Sequence, residues 1–194
     1  MKLLIKGFRF LRKRIFIPIN VLLIIIAFYL RKFLFGFQNA VLYLSKVDKN
    51  AVIPLLKFNR ASIGKNCDIE TGIIIHNCTN FNKLSIGNNC HIGKDCFFDL
   101  RDIITIEDNC VISMRSIFIT HLDMNKTDLI KYYPSQQKQI IVKKNSYLGA
   151  NSTILMGIVL EENCFVAANA LVNKNVKSYT MVGGIPAKLI KTIK

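Results

Sequence analysis

The chain carries few groups able to do acid–base, nucleophilic or metal chemistry: three histidines (His76, His91 and His121), six cysteines and 12 acidic residues among 194. A neutral imidazole near its ordinary pKa of about 6.5 can take a proton from a hydroxyl at neutral pH. Three histidines would also suffice for a catalytic zinc. Here they stand 15 and 30 residues apart, with no close pair to found a metal site, and no metal is expected. His91 falls at the outward end of a regular repeat and His76 in an irregular segment, so both read as surface or turn residues. There is no C-x-x-C pair. Cys67, Cys90, Cys96, Cys110 and Cys164 each stand at a repeat position that elsewhere takes a small residue, and only Cys78 is off register. Buried free cysteine behaves as a small hydrophobe. Packing therefore accounts for the cysteines, and the chain reads as reduced and intracellular.

The elements that must position these groups are set by a period of six. Val142, Leu148, Ile154, Leu160, Val166 and Val172 recur at every sixth residue. Four residues after each comes Ser146, Ser152, Ile158, Cys164, Ala170 or Val176, most of them small. One residue earlier, asparagine dominates, at Asn145, Asn151, Asn163, Asn169 and Asn175. Six fits neither a 3.6-residue helix nor an alternating strand. It fits a hexapeptide β-helix, in which a short strand and a tight turn make one of three faces per coil. Asparagine serves the turn because it tolerates positive φ. Upstream the same pattern runs through Ile63–Ile69, blurs between His76 and Leu84, and resumes at Ile86 and Ile92. Phe98 and Ile106 are spaced by eight, and Thr120–Ile141 breaks the repeat completely. An excursion of that length from a solenoid maps to a surface face and is often functional.

Four segments follow. Residues 1–35 form a basic, apolar helical segment that associates with a membrane; Ile15–Leu30 is free of charge, and Pro18 and Asn20 interrupt its first turn. Residues 36–60 are a linker and N-terminal cap with Pro54 as a breaker, residues 61–182 the β-helix domain with loop 120–141, and residues 183–194 a turn and short C-terminal helix begun by Pro186. The net charge is +15, and residues 1–32 hold eight of the 27 Lys and Arg and no acid. Basic flanks around an apolar run suit anionic headgroups. The run is short for a full span, and the heavier N-terminal charge would put the main domain outside if it crossed. Attachment at the cytoplasmic face of a bacterial inner membrane is therefore favoured over a soluble helix packed within an oligomer. Nucleic acid is not expected, because the basic residues gather in an apolar segment without an Arg-rich face.

The repeat, the loop opening Thr120-His121-Leu122-Asp123 and the ending Gly184-Ile185-Pro186-Ala187-Lys188 together resemble the hexapeptide-repeat acyltransferases. Within that family they resemble in particular the maltose- and galactoside-type O-acetyltransferases and their relatives in surface-polysaccharide gene clusters. The resemblance covers about residues 60–194. It implies an all-β, left-handed parallel β-helix, a homotrimer with sites between subunits, and acetyl-CoA as co-substrate. In that family the histidine opening the loop is the general base, and His121 matches it. Asp123 is a candidate either to orient it or to hold the acceptor, and Asp99, just before the two-residue bulge, is another candidate partner. The family's acetyl-CoA contacts match Ala150, Ala168 and Lys174, with Lys188 or Lys191 near the nucleotide phosphates. The chain departs from the family at Asn169 and Asn173 near the cofactor, and at Leu122, where many relatives carry a second histidine.

The function implied is O-acetylation of a sugar hydroxyl on a surface polysaccharide or its lipid-linked precursor, by direct transfer with no acyl-enzyme. The basic, apolar N-terminus motivates the lipid-linked acceptor. N-acylation of an amino-sugar nucleotide is the alternative enzyme, although a soluble substrate leaves the anchor unexplained. A membrane-associated β-helix scaffold is the non-enzymatic alternative.

Overall fold

The structure is a computed structural model describing residues 10–193. The basic and apolar residues before Phe10, on which part of the membrane expectation rests, lie outside the described residues. A π-helical turn, Arg12–Phe16, runs directly into helix α1, Ile17–Leu44. Pro18 does not interrupt it: the helical backbone continues from the π-helical turn through Pro18, which follows that turn by two residues. The helix breaks instead at Gly36, whose φ of 82° and ψ of 168° suit glycine. Past the break the chain folds back. Phe28 and Phe37 meet edge to face with centroids 6.4 Å apart, and the Arg31 guanidinium lies 4.7 Å from the Tyr43 ring centre.

One stripe of α1 (Val21, Ile24, Ile25 and Phe28) packs on the core at helical spacing. The other sides leave Leu22, Leu23, Ile26, Leu30, Phe33 and Leu34 exposed. By length and composition this helix could cross a membrane. Helix α2, Lys49–Phe58, starts at Asp48, whose side chain accepts the Asn50 N–H at 2.9 Å. Pro54 lies inside α2 and breaks nothing. It forfeits one backbone bond, and the buried Ala51, Val52, Leu55 and Leu56 hold the helix over the first coil.

The remainder winds as three parallel sheets, one per face of a prism. Inward residues stack in columns: Ile63, Ile86, Ile106, Val142 and Leu160 on the first face. Ile69, Ile92, Ile112, Leu148, Val166 and Val182 form the second. Ile75, Phe98, Phe118, Ile154 and Val172 form the third. Each buried aliphatic side chain contributes about 1.5–3 kcal/mol, and the columns make one continuous core. Asn145, Asn151, Asn163 and Asn169 turn the corners at φ of 58–59°, with Gly157 in the same role at 77°. Asn175 departs from the expectation. It is not among the positive-φ residues, and its side chain accepts the Val159 N–H at 2.9 Å instead.

At the tightest corners only glycine fits between coils. A Cβ on Gly93 would stand 2.5 Å from the Met114 backbone nitrogen. Gly93→Ala should therefore destabilise the fold by roughly 1–3 kcal/mol, read as a lower urea midpoint; an unchanged midpoint would mean that the coils part there without strain.

The C-terminal helix expected over the last residues is not present. Thr180–Gly183 pairs in parallel with Phe165–Val166, and Lys188–Thr192 then returns as an antiparallel strand beside it. A helix there would have left the outer N–H and C=O groups of Thr180–Gly183 without protein partners, whereas the returning strand satisfies them.

Candidate active site

The irregularities in the repeat converge on one edge. From the first face to the second, and from the second to the third, every coil takes six residues. Extra residues enter only where the chain turns from the third face back to the first. They lie between Ile75 and Ile86, between Phe98 and Ile106, and between Phe118 and Val142. Three successive coils thus bulge at the same corner, one above another. Asn77, Asp99, Arg101, His121 and Asp123 all lie in these bulges or at their start. Beneath them Phe98 and Phe118 stack inside the prism with centroids 5.1 Å apart, fixing the backbone that carries Asp99 and Thr120.

His121 Nδ1 lies 2.6 Å from Asp99 Oδ2. Asp99 is 1% exposed, and its carboxylate is surrounded by donors. The Thr120 N–H and Thr120 hydroxyl each donate to Oδ2 at 2.9 Å, and Asn77 Nδ2 donates to Oδ1 at 2.8 Å. Burial alone would raise the Asp99 pKa, but hydrogen bonds from His121, Asn77 and Thr120 outweigh it and hold the carboxyl at about 2. An ionised carboxylate can only accept, so the proton of the neutral imidazole resides on Nδ1. Nε2 is left with its lone pair and the ring's orientation is fixed. The His121 side chain is 22% exposed, enough to be reached from outside. This is the arrangement of a general base held by a buried carboxylate.

Asp123 is not the partner of His121. Its carboxylate accepts from Arg101 Nη1 at 3.3 Å, from Ser135 Oγ at 3.2 Å and from the Asn125 N–H at 3.0 Å. It braces loop 120–141, whose strands His121–Leu122 and Gln136–Gln137 pair antiparallel. Asn77, Thr120 and Arg101 were not singled out from sequence. Only Thr120 carried a signal there, as the neighbour of His121. His76 opens the first bulge, paired in register with Asp99, with its ring 6.2 Å from that of Phe97, whereas His91 lies on the second face, where its Nδ1 meets Asp68 Oδ2 at 2.9 Å.

The expected cofactor residues fall into three places. Ala150 and Ala168 stack one coil apart on the corner between second and third faces, where the Asn169 N–H donates to the Ala150 carbonyl at 2.9 Å. Lys174 and Lys188 share a groove of about 420 Å³ with Val172, Val176, Val182 and Leu189. Lys191 lines a separate hollow with Phe165, Met181 and Ile193. Lys174 is on the same edge of the prism as His121, two rungs further on. Among the described residues no cluster of His, Cys, Asp and Glu is arranged to hold a metal.

The hexapeptide repeat of succinyl-transferase matches residues 83–115 and 139–174. A 2,3,4,5-tetrahydropyridine-2,6-dicarboxylate N-acetyltransferase from Enterococcus faecalis is 35% identical over 60 residues, 31% of this chain and 26% of that protein. The chain thus spans about a quarter of the curated relatives it matches. A hexapeptide-repeat acetyltransferase from Vibrio cholerae superposes with a TM-score of 0.71 at 22% identity, over 79% of this chain and 86% of that one. That protein has also been solved with acetyl-CoA. A maltose O-acetyltransferase from Clostridium difficile gives 0.68 at 20% identity, over 79% and 84%. At these identities the likeness establishes the fold: the parallel β-helix expected from the repeat, with the left hand that the family resemblance implies.

Proposed function

We propose that this hexapeptide-repeat chain is an acetyl-CoA-dependent O-acetyltransferase acting on a sugar hydroxyl of a surface polysaccharide or its lipid-linked precursor. The observation that carries the reading is the Asp99–His121 pair with Nε2 free at the bulged corner. His121 Nε2 takes the proton of the acceptor hydroxyl as the oxygen attacks, and returns it to the departing sulfur. Asp99 stays ionised, holds the Nδ1 proton and stabilises the imidazolium between the two transfers. Acetyl-CoA supplies an acyl group already activated as a thioester, so no side-chain nucleophile is required. Burial pushes the thiols of Cys78, Cys96 and Cys164 up to about 11, and Cys90, held down at about 7 by a hydrogen bond from Cys110, is only 2% exposed and lies between the first and second faces, away from the bulged corner.

The residues present suit acetyl-CoA. The Lys174–Lys188 groove joins an apolar floor to a basic rim, which matches a pantetheine arm ending in phosphates. The Ala150–Ala168 column leaves backbone accessible for close approach. On one chain this column and His121 lie on different corners of the prism. A site built from both therefore needs a second subunit, which a homotrimer with sites between subunits would supply. The purified protein with acetyl-CoA and a glycan acceptor should release free CoA, followed with a thiol reagent. The product should be an alkali-labile ester. An alkali-stable amide would favour the N-acylating alternative, for which the N-acetyltransferase relative speaks. Failure to turn over any acceptor while binding membranes would favour a scaffold.

The membrane part of the reading rests on the outer sides of α1. Changing Leu22, Leu23 and Ile26 to glutamine leaves the inward stripe intact. The variant should move from the floating vesicle fraction to the soluble one in a flotation gradient. Unaltered flotation would place another surface at the bilayer. Loss of the trimer without loss of flotation would assign α1 to subunit packing.

A further inference from the structure

The bulged corner also encloses a cavity of about 400 Å³ that the proton-transfer pair does not use. Its wall includes Gln38, Asn77, Asn80, Lys83 and Arg101, and no carboxylate lines it. Two cations among amides and no acid form an anion-binding lining, one that suits a phosphoryl group with sugar hydroxyls beside it. Lys83 Nζ is held in place by the Arg101 carbonyl, which leaves the rest of its donors for a ligand. Arg101 gives one nitrogen to Asp123 and keeps the remainder of its guanidinium fork.

Two neighbours of the cavity give it direction. Gln38 is supplied by α1 only two residues beyond the Gly36 break. Immediately before that break Phe33, Leu34 and Phe35 are exposed, Phe33 by 85%. On the other side, Asn77 hydrogen-bonds Asp99 and Arg101 hydrogen-bonds Asp123, so the cavity wall is bonded directly to the residues that hold His121 and its loop. The Lys174–Lys188 groove lies further along the same edge, beyond His121. The order along the edge is therefore apolar arm, cationic cavity, imidazole, basic groove.

We propose that this cavity is the subsite for the phosphoryl group of a lipid-linked sugar. The phosphoryl group sits between Lys83 and Arg101, the lipid chain leaves along Phe33–Phe35, and the sugar points toward His121. This deepens the transferase reading and rests on it for the sugar's fate, but the binding itself needs no turnover.

The test is vesicle flotation of the full chain without acetyl-CoA. Phosphatidylcholine vesicles carrying a few per cent polyprenyl phosphate are compared with vesicles of equal charge carrying phosphatidylglycerol. Polyprenyl phosphate should tighten binding about tenfold over the charge-matched control, the scale of a charge-assisted hydrogen bond. Asn80→Asp keeps the acceptor that Asn80 offers to the Asn82 N–H at 2.9 Å and adds a negative charge to the wall. It should abolish that tenfold increment, as should Lys83→Gln, with binding to the phosphatidylglycerol vesicles and the melting temperature unchanged. Equal binding to both vesicle types, or an increment that survives Asn80→Asp, overturns the proposal. Displacement by soluble sugar 1-phosphate as effective as by polyprenyl phosphate would overturn the lipid-linked part and leave a site for soluble sugar phosphates. If His121 proves dispensable for acetyl transfer while the increment holds, the cavity stands and the transferase reading falls.

Discussion

His121→Ala should lower kcat by about 10²–10⁴, the usual contribution of a positioned base, with KM for the acceptor changed far less. The reason is local. Nε2 is the nitrogen left free by the bond from Nδ1 to Asp99, so no other atom of the ring can accept the hydroxyl proton. His121→Asn is the sharper test. Its amide could still donate to Asp99 and preserve the fold, yet it offers no base, so its rate should fall as far as that of the alanine variant. Both are read as CoA release at saturating acetyl-CoA. Full turnover in either variant would remove His121 from the chemistry.

Asp99→Asn should cost kcat about 10²–10⁴ as well, although Asp99 has no need to touch the substrate. The neutral amide carries no charge to stabilise the imidazolium that forms during transfer. An NH₂ turned toward Nδ1, which would move the ring proton to Nε2, would also face the Thr120 N–H, so either orientation of the amide leaves a poorer base. Restoration of rate in Asp99→Glu, with the KM of both substrates steady, would identify Asp99 as a positioning residue acting through His121. Full activity in Asp99→Asn would show that the carboxylate does not set the tautomer.

The same carboxylate makes a prediction about acid stability. Its folded pKa of about 2 lies below the ordinary value of 3.8, so the ionised form is favoured by folding. The stabilisation is fully present above about pH 4 and is lost as pH falls toward 2. Its size is about 2 kcal/mol, from a shift of nearly two pKa units on a buried group. Urea midpoints of the wild type should therefore fall between pH 4 and 2 more steeply than those of Asp99→Asn. Parallel curves would assign the acid loss to other carboxylates.

Much of the fold could be read from sequence because each rung of the prism demands one inward aliphatic residue, and Val142 to Val172 supply it without a slip. The site was legible in part. His121 stood at the largest interruption, and Asp99 just before a smaller one. That they meet depends on bulges from successive coils stacking at one corner, which a linear spacing displays as separate defects. Asn77 and Arg101 were hidden for the same reason, since each finds its carboxylate 22 residues away in the next coil. Asp123 stands two residues from His121 in sequence, but its carboxylate meets Arg101, Ser135 and the Asn125 N–H, and Asp99 from the previous coil takes the imidazole. The C-terminal segment failed differently. Seven residues from Ile185 to Lys191 are too few for periodicity to separate helix from strand, and the unsatisfied edge of Thr180–Gly183 decided the matter. Pro54 and Pro18 show the related error of treating proline as a stop wherever it occurs.

Confining every length change to one corner has a consequence for how such a chain diversifies. The ladder on either side of that corner pairs the same columns whether the intervening segment holds no extra residues or 18. Insertion or deletion there leaves register untouched, whereas a single added residue at either other corner would turn an aliphatic side chain out of the prism. Lineages can therefore re-tool the neighbourhood of the imidazole by trading whole segments, and a grafting experiment that exchanges 76–83 or 120–141 between homologues should yield folded hybrids with altered acceptor choice.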